Sequence, residues 1–282
     1  MLGCQDHPPA HVPWHVVPVS NAFLQLGGAL WTVCYVLFVL VGMRTKSYGM
    51  PMFALALNLA WEGVYAFLVP GAQPAEKVGF ATWLIVDCGL VYCLLTHGRR
   101  YDVDWANSPM VQRRLGVIFA LICTGCVLLH WSFARWWIAH GIGMHRGKLY
   151  DGRVGPDMTE LAFWSSSVSQ ATLSVMSLAQ LLVRGHSGGV SWSVWALRAS
   201  GTLIGMHGYF TWRWFFWPEA HDYIGSPVAV LILSTATLAD LTYPFVLFYV
   251  RRTEIVLADG RRLSSERTPE FNSISMGIVE KQ

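Results

Sequence analysis

Three carboxyl groups stand where a greasy chain has most reason to avoid them. Glu62 lies in the run Asn58-Leu59-Ala60-Trp61-Glu62-Gly63-Val64-Tyr65, inside an apolar stretch from 50 to 70 without lysine or arginine. Asp87 ends the run Trp83-Leu84-Ile85-Val86-Asp87, and Asp240 lies in Thr237-Leu238-Ala239-Asp240-Leu241-Thr242-Tyr243-Pro244. An ionisable group at bilayer depth costs roughly 2.5–3.5 kcal/mol on insertion scales, which makes each a functional candidate by default. On a helix, Asn58, Glu62 and Tyr65 fall at i, i+4 and i+7 and share a face. Pro244 has no N–H, so the carbonyl of Asp240, four residues earlier, loses its helical partner. A neighbour, a water or a ligand must satisfy that carbonyl, and Tyr243 shares the face of the acid.

Burial disfavours the charged form, so these carboxyls are expected to carry protons unless a cation pairs with them. A protonated acid in an apolar cavity acts as a Brønsted acid on weakly basic groups. The aromatics Trp61, Tyr65, Trp83, Tyr92, Trp131, Trp164, Tyr209, Trp212 and Tyr243 are available to line such a cavity, and aromatic faces stabilise cations. Acid plus aromatic wall suits the making and steering of carbocations in an apolar substrate. For Asp87 the preferred reading is plainer, a hydrogen bond between helices. Arg198 is expected to snorkel to the nearer interface rather than pair with an acid.

The elements that position these groups are read from composition and length. The 282 residues are 54% hydrophobic with a mean hydropathy of +0.40 and only 13% charged, against about 25% charged in soluble domains. Seven stretches reach membrane-spanning length: 22–43, 50–69, 78–96, 115–137, 161–183, 192–215 and 227–250. The expected fold is therefore all-α, a polytopic bundle of seven transmembrane helices over 22–250. It is flanked by a non-cytosolic segment 1–21 and a polar, mobile cytosolic tail 251–282. The first span is expected to target the chain and stay in it.

At about 1.5 Å per residue, Glu62, Asp87 and Asp240 lie roughly 10–12, 13–15 and 20 Å below the non-cytosolic ends of their spans. They are expected to line one cavity near the midplane. Lysine and arginine concentrate in the first, third and fifth connections and the tail, from Arg44 and Lys46 to Arg267 and Lys281. Lys77, Arg146, Lys148, Arg153 and Arg213 stand on the opposite side. That asymmetry places the C-terminus in the cytosol, here of a protein expected in the endoplasmic reticulum.

Other features carry less. Cys123-x-x-Cys126 sits inside an apolar run, where packing is the expected role. His7, His11 and His15 have metal-like spacing, but Pro8, Pro9 and Pro13 interrupt any helix aligning them, so a surface or disordered segment is expected. The glycine-rich 140–159 connection is expected to be a loose loop. Gly201, Gly205 and Gly208 are expected to allow close helix packing. Ser166, Gln170, Ser177 and Gln180 form a polar stripe for interhelical hydrogen bonds. The net charge of +3 implies no nucleic-acid partner.

Two motifs together resemble a known family. Asn58-Leu59-Ala60-Trp61-Glu62, and Asp240-Leu241-Thr242-Tyr243-Pro244-Phe245 followed by Arg251-Arg252-Thr253-Glu254, resemble the small integral-membrane terpene cyclases of fungal meroterpenoid and indole-diterpene pathways. The pyripyropene and paxilline cyclases are typical members. Arg184-Gly185-His186-Ser187-Gly188 and the segment from Arg198 through Arg213 to Trp217-Pro218 support the match, which runs from about Ala22 to Glu254. The chain departs from the family in its long 140–159 connection and its longer tail.

The resemblance implies a non-redox enzyme that protonates an epoxide or alkene on a prenylated polyketide, aromatic or indole precursor and directs ring closure. It implies Glu62 and Asp240 as the acid–base residues, and leaves Asn58, Trp61, Tyr65, Trp83, Asp87, Tyr209, Trp212 and Tyr243 as pocket candidates. Its expected partners are the epoxidised small molecule and membrane lipid. No cofactor or metal is expected, because the sequence has no Asp-Asp-x-x-Asp cluster and no Asp-x-Asp-Asp motif, and Asp102-Val103-Asp104 is too sparse for either. The competing reading is a proton-coupled small-molecule transporter, for which midplane acids are equally natural. A seven-helix receptor is a third class, favoured by no motif.

Overall fold

The structure, a computed structural model, describes residues 7–69, 74–100, 105, 108–144, 147–149 and 154–265. Cys4, Asp102-Val103-Asp104, Arg146, Arg153 and the tail from 266, with Arg267 and Lys281, lie outside the described residues. Among the described residues seven long helices form the molecule. They are α1 (Val16–Thr45), α2 (Met52–Leu68), α3 (Pro74–Arg100), α4 (Pro109–Ala139), α5 (Met158–Arg184), α6 (192–216) and α7 (Pro227–Thr253). Each of the seven apolar stretches read from the sequence falls on one of them, and the chain is an all-α, multi-pass membrane protein. Helix α1 begins at Val16 rather than Ala22.

Five of the helices are long and apolar enough to cross a bilayer unaided. The other two are the irregular ones. Helix α2 is α-helical over Met52–Gly63 and closes with π turns over Val64–Leu68. Helix α6 is interrupted by π turns over Leu203–Gly208, between Trp192–Thr202 and Tyr209–Phe216. Such π segments loosen the regular hydrogen-bond ladder and recur at functional sites. Helix starts are capped as their sequences suggest, with Ser191, Ser226 and Asp157 each accepting a backbone N–H three residues on.

The closest packing joins α1 to α6 and α5 to α7. A Cβ on Gly27 would lie 2.2 Å from the Cα of Gly205, so the two backbones touch. A Cβ on Gly201 would lie 2.8 Å from the ring of Trp31. This is the role expected of the glycines, since small residues let membrane helices approach. Cys126 is buried, Cys123 packs on the same core, and both are free thiols.

Two expectations about the periphery need correction, and the N-terminal segment, expected at the surface or disordered, lies at the surface. The 140–159 connection is docked rather than loose where it is described. Asp157 N–H donates to the carbonyl of Ile142, and buried Lys148 ion-pairs with Asp157 while donating to the carbonyl of Ala220. The N-terminal segment joins it: His7 N–H donates to Gly147, His11 pairs with Glu219 at 2.6 Å, and Val12 packs with Trp217 and Ala220. At the opposite end the tail begins with an antiparallel hairpin, β1 (Glu254–Val256) with β2 (Arg262–Ser264). Glu254 accepts from Ser187 and Arg262, and Lys46 reaches Asp259 at 3.3 Å. Glycines in the connection and polar composition in the tail suggested mobility, but paired charges and backbone hydrogen bonds hold both where they are described.

Candidate active site

The i, i+4 spacing on α2 brings Asn58 against Glu62, and the packing of α2 on α3 brings Asp87 to the same point. Asn58 Nδ2 lies 2.9 Å from Glu62 Oε1, from Asp87 Oδ2 and from the hydroxyl of Tyr35 on α1. An amide nitrogen has two hydrogens, so these three oxygens share them. Glu62 and Asp87 are both fully buried, and the Tyr35 side chain is nearly so. The two carboxyls lie within hydrogen-bonding reach of each other, and Tyr35 within reach of Glu62. Glu62 Oε2 and Asp87 Oδ1 are buried with no donor directed at them. Among the described residues neither acid has a cationic partner. Asp87 thus makes the hydrogen bond between helices that was expected of it, to Asn58 on α2, and makes it inside the glutamate's own cluster.

Aromatic rings flank this cluster. Trp61 stands 4.9 Å from Phe80 edge to face, Phe80 5.8 Å from Trp83, and Trp83 6.4 Å from Tyr35, whose ring also meets Trp31 at 5.3 Å. The wall is pinned by polar atoms behind it. Trp61 Nε1 and the Tyr65 hydroxyl both donate to Ser165 Oγ on α5, at 3.0 and 2.8 Å, and Trp83 Nε1 donates to Thr32 at 2.7 Å. Tyr65 therefore faces α5, beside the acids rather than on them.

Asp240 occupies a different cluster, built by α5, α6 and α7. Arg198 Nη2 donates to Asp240 Oδ1 at 2.7 Å, and Ser174 Oγ donates to Oδ2 at 2.9 Å while accepting from Gln170. The guanidinium also lies 4.7 Å over the ring of Tyr243. Arg198 is 2% exposed and Asp240 8%, so the arginine pairs in the interior and does not snorkel. Its position on the face of α6 toward α7 puts the guanidinium 2.7 Å from the acid. The carbonyl freed by Pro244 accepts from Trp195 Nε1 at 3.1 Å, the neighbour that the proline demanded. His207, in the π turns of α6, lies within electrostatic range of Asp240.

The sequence-predicted residues thus separate. Glu62, Asp87, Asn58, Trp61 and Trp83 come together with Tyr65 beside them, and Asp240 and Tyr243 come together with Arg198. No hydrogen bond among the described residues joins the two clusters. Tyr209 and Trp212 join neither. Tyr209 packs with Phe163, Phe210 and Tyr223 under the guanidinium of Arg213, and Trp212 packs with Phe23 and Phe216.

Several residues at the site carry no sequence signal or a weak one. Tyr35 sits in an ordinary apolar run, and Phe80 resembles any membrane phenylalanine. Ser165 opens the run Ser165-Ser166-Ser167, and Ser174 follows Gln170 by one turn, which extends the polar stripe seen on α5. The pairing of Arg198 with Asp240 spans two helices distant in sequence, and spacing cannot reveal it.

Residues 4–253 match the family described as Pyr4-like transmembrane terpene cyclases. The chain is 44% identical to the terpene cyclase ascF of Acremonium egyptiacum over 93% of each chain. It is 33% identical to the terpene cyclase macJ of Penicillium terrestre, over 86% of this chain and 85% of that one. With the terpene cyclase paxB of Penicillium paxilli it shares 29% identity over 85% and 89%. No solved structure matches.

Proposed function

Since the chain belongs to the Pyr4-like transmembrane terpene cyclases, we propose that it closes rings on an epoxidised prenyl chain carried by a polyketide, aromatic or indole head group. Glu62 supplies the initiating proton to the epoxide oxygen. The C–O bond breaks, alkene electron pairs close the rings in turn, and loss of a C–H proton to a base ends the cascade as an alkene. Substrate and product are isomers, so the reaction needs no oxidant, and proton return to Glu62 completes the cycle.

The observation that carries this reading is the unequal partnering of the two acids. Glu62 is buried among neutral donors and another carboxyl, with one oxygen free of any donor. A carboxyl so placed is held as the acid, because burial of unpaired charge is costly. Asp240 carries a guanidinium at 2.7 Å and is held as the carboxylate. The donor is therefore Glu62, and Asp240 is the proton acceptor or the counter-charge for the travelling cation. Trp61, Phe80, Trp83 and Tyr35 supply the faces that stabilise positive charge as it leaves the first carbon.

We propose further that the protein resides in the endoplasmic reticulum with the hairpin end in the cytosol. Arg44, Lys46, Arg184, Arg251 and Arg252 crowd that end, as the positive-inside bias requires.

The test is conversion. Membranes carrying the protein, fed a panel of prenylated epoxides, should yield a product of unchanged mass and new retention. Recovery of intact epoxide across the panel, or of the hydrolysed diol alone, would count against it.

A further inference from the structure

The acid-bearing cluster holds more groups than one proton donor needs. Two carboxyls lie within hydrogen-bonding reach of each other, an amide bridges them at 2.9 Å to each, and a phenol from α1 lies 2.9 Å from the same amide. As two carboxylates this arrangement would place like charges in contact, in low dielectric, with Glu62 Oε2 and Asp87 Oδ1 both lacking a donor. With protons present the conflict vanishes, because one carboxyl then donates to the other. After Glu62 gives up its proton, a neighbouring carboxylic acid can hydrogen-bond to the carboxylate left behind, and such charge-assisted bonds are the strong ones.

We infer that Asp87 is a positioning residue for proton delivery, acting through Glu62, with Tyr35 as its second support. The assignment rests on the reading of Glu62 as the initiating acid. In the resting site both carboxyls carry a proton. Glu62 passes its own to the epoxide oxygen, and the Asp87 O–H donates to the new Glu62 carboxylate, so the pair ends with one shared proton. The proton gained from the substrate-derived cation at the end of the cascade restores the resting pair. Tyr35, whose hydroxyl accepts from the Asn58 amide at 2.9 Å, lies within reach to donate its O–H to Glu62, which keeps the unpartnered oxygen of Glu62 fixed.

Among the described residues on the helices packed against the pair, no other ionisable group competes for this role. Helix α1 brings Tyr35 and Cys34, and Cys34 donates to the carbonyl of Val194 instead. Helix α3 brings Asp87 itself. Helix α4 brings His130, a buried imidazole that lies near the carbonyl of Leu57. Helix α5 has no ionisable side chain between Glu160 and Arg184, and reaches α2 through Ser165. The pair is therefore electrostatically isolated apart from Tyr35 and Asn58.

The experiment compares Asp87→Asn, Asp87→Ala and Tyr35→Phe with Glu62→Gln in purified protein, following kcat, KM and the pH profile of kcat. Folded protein is confirmed by size exclusion in detergent. Asp87→Ala should lower kcat by about a hundredfold with KM within about threefold, the range of a lost charge-stabilising donor. Asp87→Asn keeps an N–H donor and should recover at least about tenfold of that loss. Its pH profile should nevertheless be displaced by more than about half a pH unit, because Glu62 then titrates without a coupled partner. Tyr35→Phe should lower kcat by about tenfold.

An Asp87→Asn profile superimposable on the parent's, with Asp87→Ala within threefold in kcat, overturns the inference. A purely structural Asp87 would reduce the yield of folded protein and leave the profile of the remainder unmoved. Undiminished product from folded Glu62→Gln would instead remove the reading on which the inference rests, so the two failures are distinct.

Discussion

Replacing Arg198 by methionine isolates the electrostatics of the Asp240 cluster. The substitution keeps a long apolar stem and removes the guanidinium that lies 2.7 Å from Asp240 Oδ1 and 4.7 Å over the ring of Tyr243. The arginine is 2% exposed and the aspartate 8%, so water does not screen what is left. Among the described residues, Ser174 is then the one hydrogen-bond donor left to the carboxylate. Breaking a buried pair from one side costs about 3–5 kcal/mol, mostly from the charge left behind, and the lost contact with Tyr243 is contained in that figure. The double variant Arg198→Met with Asp240→Asn removes both charges and keeps an acceptor for Ser174. It should recover all but about 1–2 kcal/mol of the loss. Unfolding in detergent micelles, followed by tryptophan fluorescence, measures all four corners of the cycle. A single variant within about 1 kcal/mol of the parent, or a double variant no more stable than the single, would refute the buried pair.

Three further outcomes follow from the same geometry. Gly27→Val places a branched side chain where a Cβ already meets Gly205 at 2.2 Å; it should cost about 3 kcal/mol or more and show as lost monodisperse protein on size exclusion. Ser165→Ala strips the acceptor shared by Trp61 and Tyr65; about 1–3 kcal/mol of stability should go, and chromatography of the products should show more early-terminated rings as the aromatic wall loosens. Lys148→Met removes the buried ammonium that ties Asp157 to the Ala220 carbonyl; limited proteolysis should then cut the 140–157 connection markedly faster than in the parent.

How far the sequence leads depends on how local the relevant physics is. The seven helices are legible because bilayer length and apolar composition are properties of single segments. Glu62 and Asp240 stand out because a carboxyl in an apolar run is anomalous without knowledge of its neighbours. Pro244 is legible for the same reason, and the orphaned carbonyl that it predicts is the one Trp195 satisfies. What the sequence hides is made between helices. Asp87 reads as a lone interhelical acid until α3 sets it against Glu62. Tyr35 has no signal until α1 sets it against Asn58. Arg198 is misread because its reach to an interface can be judged from one helix, while the presence of Asp240 beside it cannot. The docked 140–159 connection is misread similarly, since its glycines are local and the Lys148–Asp157 pair with Ala220 is not.

The central claim is that a single buried acid on α2 starts the reaction. Its most direct test is the rate of product formation by Glu62→Gln, with folding verified and with a prenylated epoxide that the parent cyclises. The glutamine keeps the volume and the bond from Asn58 but has no acidic proton. The account predicts a fall of at least about a thousandfold in kcat, with substrate still bound and recovered as the intact epoxide. Cyclised product at a rate within threefold of the parent would contradict it.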